Sequence, residues 1–199
     1  MSKSARTREY ILDRTAPLFN SKGYSGTSLA DLTAATGLTK GALYGNFRDK
    51  EEIAEKAFSY ALKVVHDKVR SQLSGKGTCR ERLLALLEFY AGYVLDPPIP
   101  GGCPLLNTAI EADDHHKFMR KAVRKELNST VAYIQRLLDQ GVEAGEFMNI
   151  PDTRALAFVI FCSVEGAIMF SRIQRSSEPM NYIVGHCRQM LNQISKTQS

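Results

Sequence analysis

Apolar residues recur at three- and four-residue steps along nearly the whole chain, and no stretch keeps strict two-residue alternation long enough for a strand. The pattern predicts an all-α protein. A first helix covers about residues 7–22, with Tyr10, Ile11, Ala16, Leu18 and Phe19 as its apolar members, Pro17 as an internal kink, and Gly23 as its C-terminal stop. Thr27 or Ser28 caps a short helix to about Thr36 that buries Leu29, Leu32 and Ala35. Gly37 ends that helix, and Thr39 caps a third over about residues 40–46. Two short helices joined by a glycine-containing turn form a helix-turn-helix pattern. Asp49 and Glu52 have the spacing of a capping box, opening a long helix to about Ser74 with Ile53, Ala57, Ala61, Val65, Val69 and Leu73 along one seam.

The second half repeats the theme with longer helices. Thr78 and Glu81 form another capping box before a helix to about Leu95, and the run from Asp96 to Gly102, rich in proline and glycine, cannot continue it. A short helix at about 104–112 and a long one at about 115–144 follow, the latter with Val123, Leu127, Val131, Ile134, Leu138 and Val142 on one face. Residues 155–170 are apolar on every side apart from Glu165. Sixteen residues interrupted by a glutamate are too short and too polar for a membrane span, so this helix must be buried on both sides. One side faces the domain core and the other needs a partner. With the last helix, about 178–196 and striped by Ile183, Cys187, Met190, Leu191 and Ile194, it predicts a homodimer through the last two helices.

Composition narrows the class. The chain has 199 residues, 44% of them hydrophobic, which excludes a disordered chain. Four cysteines at irregular spacings are no disulfide framework, and the first residues lack an apolar leader, so a cytoplasmic setting is expected. The net charge of +5 is unevenly spread: the first fifty residues hold eight Lys and Arg against four Asp and Glu, and the remainder 18 against 17. That distribution describes a polyanion-binding head, residues 1–50, on a nearly neutral body, residues 51–199.

The run Phe19, Gly23-Tyr24, Thr27-Ser28-Leu29, Asp31-Leu32, Ala35, Gly37-Leu38-Thr39-Lys40-Gly41-Ala42-Leu43-Tyr44, Phe47 and Lys50-Glu51 resembles the DNA-binding signature of the TetR family of bacterial regulators. The resemblance implies about nine helices: a three-helix DNA-binding domain joined by a long helix to a helical domain for ligand binding and dimerisation. It implies a homodimeric repressor of a double-stranded DNA operator, released by a small-molecule effector. It places Thr27, Ser28, Thr39, Lys40, Gly41, Tyr44 and Asn46 toward DNA, with Lys50 on a phosphate. The residues suit those roles, since a helix N-terminus offers unpaired N–H groups and Gly41 lets backbone approach the duplex. Lys40 can meet a phosphate or a guanine, and the Tyr44 hydroxyl a phosphate. Pure capping remains open for Thr27 and Thr39, while Leu38, Leu43 and Phe47 read as core.

An effector pocket is expected between the long helices of the body. Its candidates are Phe89, Tyr90, Tyr93, Cys103, Asn107, Phe118, Tyr133, Leu137, Phe161, Glu165 and Met169. Asn107 and Glu165 stand out because a buried polar group needs a partner that a ligand can supply. Cys103, at a helix start, is placed where thiols become reactive, and similar family members use a cysteine there as an electrophile or oxidant sensor. Activation, or repression that requires a corepressor, is the alternative mode. No phosphate loop, nucleophile elbow or convergent acid–base set points to an enzyme, and no cofactor is implied. Asp113 to His116 are adjacent residues that point about 100° apart on a helix, so they do not converge on a metal. Lys117, Arg120, Lys121, Arg124 and Lys125 form a basic cluster read as an outer helix face, with a second DNA surface as its alternative.

Overall fold

The computed structural model describes residues 2–196, with the backbone alone for Asp114. Nine helices lie among them: α1 (Lys3–Gly26), α2 (Leu29–Thr36), α3 (Lys40–Tyr44), α4 (Lys50–Leu73), α5 (Cys79–Tyr93), α6 (Pro104–Asp114), α7 (Lys117–Glu143), α8 (Thr153–Gln174) and α9 (Glu178–Ile194). The all-α expectation holds. Helix starts follow local chemistry. Ser28 and Thr78 both cap through full boxes, with Asp31 and Glu81 as the reciprocal carboxylates. At α4 the box slides by one residue: Asp49 accepts from the Glu52 N–H at 2.8 Å, but Glu52 turns back to the Arg48 N–H, also at 2.8 Å. Helix α1 begins earlier than its first apolar residue, because Ser2 accepts the Ala5 N–H and caps a polar first turn. Pro17 lies inside α1 without ending it; the break falls at Gly23, at φ 73° and ψ 174°.

The helices pack as two compact units. One runs to His66 and takes up Pro98–Arg124; the other holds Asp67–Pro97 and the chain from Lys125 onward. Packing therefore groups α6 and the first turns of α7 with the helix-turn-helix, a division different from 1–50 and 51–199.

In the first unit Ile11, Leu32, Leu43, Phe47 and Ile53 form a buried cluster, flanked by Leu12, Leu18, Phe19, Leu29, Leu38 and Tyr44. A polar knot joins α1 to α6 beside it. The Asn20 amide donates to the carbonyls of Pro100 and Gly102, both at 2.8 Å. The Asn107 amide donates to the Asn20 carbonyl at 2.9 Å, the Asn20 side-chain oxygen at 3.1 Å and the Gly101 carbonyl at 2.9 Å. One turn further on, the Glu111 carboxylate accepts the backbone N–H groups of Tyr24 at 2.7 Å and Ser25 at 3.3 Å.

In the second unit α9 packs on both α8 and α5. Glu146 caps the start of α5 by accepting the Cys79 and Arg80 N–H groups at 3.1 and 2.9 Å. Helix α8 is 22 residues long, so the shortness argument against a membrane span does not hold: by length and composition it meets that test. Its residues instead divide into two sectors. Ala157, Ile160, Phe161, Val164, Ala167, Ile168 and Ser171 are buried, whereas Phe158, Val159, Met169, Phe170 and Ile173 are exposed. At about 100° per residue the exposed set spans a single sector of about 120°, opposite the buried one.

Gly101 has φ 102°, and a Cβ there would stand 2.6 Å from the Asn20 carbonyl oxygen. Gly101→Ala should therefore lower the urea midpoint, costing about 1–3 kcal/mol from backbone strain alone.

Candidate nucleic-acid interface

Helix α3 has five residues and survives because its far side is anchored. Leu43 is 0% exposed and Phe47 2%. Its N-terminus is left to solvent: the Thr39 hydroxyl accepts the Ala42 N–H at 3.2 Å, and Lys40 and Gly41 are exposed. A Cβ on Gly41 would find only the Thr39 hydroxyl, at 3.9 Å, so a backbone-to-backbone approach is open there. Tyr44 is half-buried, its ring against the core cluster. Ser28 is exposed at the start of α2, its hydroxyl shared with Asp31 at 2.7 Å.

Three expected contacts turn inward. Thr27 is 0% exposed, and its hydroxyl donates to the Gly23 carbonyl at 2.6 Å, so it closes α1 and presents nothing to a duplex. The Asn46 amide donates to the Ala42 carbonyl at 2.9 Å and closes α3. The Lys50 ammonium donates to the Tyr24 carbonyl at 2.8 Å and lies 4.2 Å from the centre of the Tyr24 ring, and burial pulls its pKa down. It braces α4 against the turn before α2.

Carboxylates fasten the same surface. Lys22 at 2.6 Å and the Ser28 hydroxyl and N–H hold Asp31 far below the usual carboxylate range. The Arg48 N–H, then Arg8, lowers Glu52; the Arg48 guanidinium, then the Glu52 N–H, lowers Asp49. Tyr24 is the hub that sequence reasoning missed. Its ring meets His116 at 4.5 Å and Phe118 at 5.2 Å, and His116 reaches the Ser25 hydroxyl at 2.8 Å. No local spacing signals partners that lie some ninety residues away.

The effector candidates divide between the units. Cys103, Asn107 and Phe118 fall in the first. Asn107 is bound to Asn20 and Gly101 at the α1–α6 junction, and Phe118, on α7, packs on Tyr24. Cys103 is buried as the N-cap of α6, its sulfur accepting the Leu106 N–H at 3.5 Å. In the second unit Phe89, Tyr90 and Tyr93 form one ring cluster, with centroids 5.1 to 5.7 Å apart. Leu137 and Phe161 are buried, Tyr133 and Glu165 half-buried. Met169 is 46% exposed and belongs to the outer sector of α8. A cleft between α1, α4 and α6 is lined by Phe19, Tyr24, Phe58 and Glu111.

An anchored short helix with an open N-terminus, beside a capped second helix on an all-α chain, defines a helix-turn-helix DNA-binding transcriptional regulator. Two family models match: "Bacterial regulatory proteins, tetR family" over residues 11–57, and "Tetracyclin repressor-like, C-terminal domain" over residues 79–187. The chain belongs to the TetR family. It is 38% identical to a TetR-family regulator from Cytophaga hutchinsonii, with a TM-score of 0.92 over 100% of this chain and 99% of that one. A TetR regulator from Chloroflexus aurantiacus J-10-FL is 36% identical, with a TM-score of 0.93 and 100% of both chains covered. The HTH-type transcriptional repressor NemR of Escherichia coli (strain K12) is 25% identical over 186 residues, 93% of this chain and 94% of that protein.

Lys40→Ala should weaken duplex binding in mobility shifts without moving the melting temperature. Thr27→Val should do the reverse, costing about 1 kcal/mol of stability for the lost hydrogen bond. Asp31, Asp49 and Glu52 have folded pKa values below their unfolded ones. Their stabilisation is therefore present above about pH 4 and lost as pH falls through the folded values. Melting temperature should drop across that acid range, and Asp31→Asn should flatten the drop.

Proposed function

We propose that the chain is a homodimeric repressor that holds an inverted-repeat operator through α3 and releases it when a small molecule binds the body. The observation that carries this reading is the exposed Thr39-Lys40-Gly41 start of α3, held out by buried Leu43 and Phe47. Two such helices must lie about 34–36 Å apart to enter successive major grooves, which requires a rigid dimer. The outer sector of α8 supplies the apolar surface for one, and Tyr182 on α9, 69% exposed, extends it. Covered in this way, α8 is a protein–protein helix and not a membrane span, and the protein acts in the bacterial cytoplasm. Repression follows the naming of NemR. The ring cluster of Phe89, Tyr90 and Tyr93 is the proposed meeting point for the effector, and no cofactor is needed. A duplex selected by the protein from a random-sequence pool tests the reading: candidate effectors should weaken the mobility shift. An effector that strengthens it would mean corepression.

Phe170→Glu with Ile173→Glu should give a monomer in sedimentation and abolish the shift on an inverted repeat. A dimer that survives both changes would remove α8 from the interface.

A further inference from the structure

Of the eight cations in the first fifty residues, five are already engaged. Arg8 pairs with Glu52, Arg14 with Asp13, Lys22 with Asp31 and Arg48 with Asp49, while Lys50 is held by the Tyr24 carbonyl. Lys3, Arg6 and Lys40 remain. The same compact unit holds a second set, at the start of α7. From His115 to Arg124 the chain has four cations and no carboxylate. Arg120 donates to the carbonyls of Ala112 and Asp113, so it closes α6. Lys117, Lys121 and Arg124 are exposed and have no ion-pair or hydrogen-bond partner among the described residues. At about 100° per residue these three lie within about 60° of one another, and they stand opposite Met119 and Val123, which are 4% and 5% exposed.

The stripe is fastened to the helix-turn-helix at its first residue. Lys117 sits between His116 and Phe118, whose rings both pack on Tyr24, and His116 also holds Ser25. Ser25 is three residues before Ser28, the exposed cap of α2. From there the stripe extends over seven residue steps, about 10 Å of helix.

We propose that Lys117, Lys121 and Arg124 form a second DNA contact that grips backbone phosphates flanking the bases read by α3. The inference rests on the DNA-binding reading above and adds a surface to it. It doubles the number of unpaired cations that the first fifty residues bring to the duplex. Contacts of this kind carry no base preference; they add affinity, salt dependence and a longer footprint.

The test uses the full-length protein and the selected duplex, in a version trimmed to the inverted repeat and one extended by about ten base pairs on each side. Wild-type protein should bind the extended duplex at least tenfold more tightly. Lys117→Gln/Lys121→Gln/Arg124→Gln should bind the trimmed duplex like wild type and lose the gain on the extended one. With three contacts per protomer, its slope of log affinity against log salt on the extended duplex should be shallower by about 5. Equal binding by variant and wild type on both duplexes would overturn the proposal. Equal weakening of the variant on both would also overturn it, by assigning the stripe to the long-range field and not to contact. If wild-type protein selects no duplex at all, the DNA-binding reading fails first and the stripe falls with it.

Discussion

The structure of the DNA-binding unit depends on how the chain breaks near the end of α1, at Gly23. Gly23 leaves helical geometry at positive φ, and the two N–H groups that follow it are accepted by one carboxylate, Glu111. A charged acceptor on two backbone donors is a strong arrangement, about 1.5–3 kcal/mol for each hydrogen bond to a charged group. The carboxylate lies so close that a Cβ on Gly23 would stand 2.6 Å from it. Glycine at 23 and glutamate at 111 are therefore one device: the first makes room and supplies the conformation, the second satisfies the donors the break exposes. Ser25, Thr27 and Ser28 take their places from that break, and α2 starts from Ser28.

The same economy explains why the excess charge of the head is smaller in effect than its count. Five of its eight cations are fastened to carboxylates or a carbonyl of the unit itself, and those bonds hold α1, α2 and α4 in register. Lys50 shows the exchange most clearly. Its ammonium braces α4 on the Tyr24 ring and carbonyl, and burial there pulls its pKa down. Such a head leaves a few open groups, Thr39, Lys40 and Gly41 among them, in place of a broad positive field.

What the sequence made legible was short-range. The Thr78–Glu81 box is a three-residue signal and appears in the structure as read, whereas the Asp49–Glu52 box slides by one residue, and α8 buries one of its two apolar sectors and leaves the other exposed. What escaped was set by partners far along the chain. Asn107 looked like a polar group awaiting a ligand because its acceptors, Asn20 and Gly101, lie across the fold. Thr27 could not be told from Ser28 until the break at Gly23 turned its hydroxyl back onto a carbonyl. Phe118 has an apolar helix position and no local sign that it serves Tyr24. Glu111 had no signal at all, being a single carboxylate on a short helix.

The connections between the two units sharpen the role of this junction. The chain passes between them at three points: inside α4, between Pro97 and Pro98, and inside α7. Followed into the DNA-binding unit, each leads to the end of α1. Helix α4 begins at Lys50, which is bound to Tyr24; the loop after Pro98 reaches Gly101 and Gly102, which hold Asn20; α7 begins beside His116 and Phe118, which pack on Tyr24. Two of the three crossings fall inside helices, α4 and α7. The groups that hold Asn20 to Ser25 therefore come from all three stretches of chain that enter this unit. That segment has few conformations open to it, because Gly23 and Gly101 are both hemmed in by the groups they face.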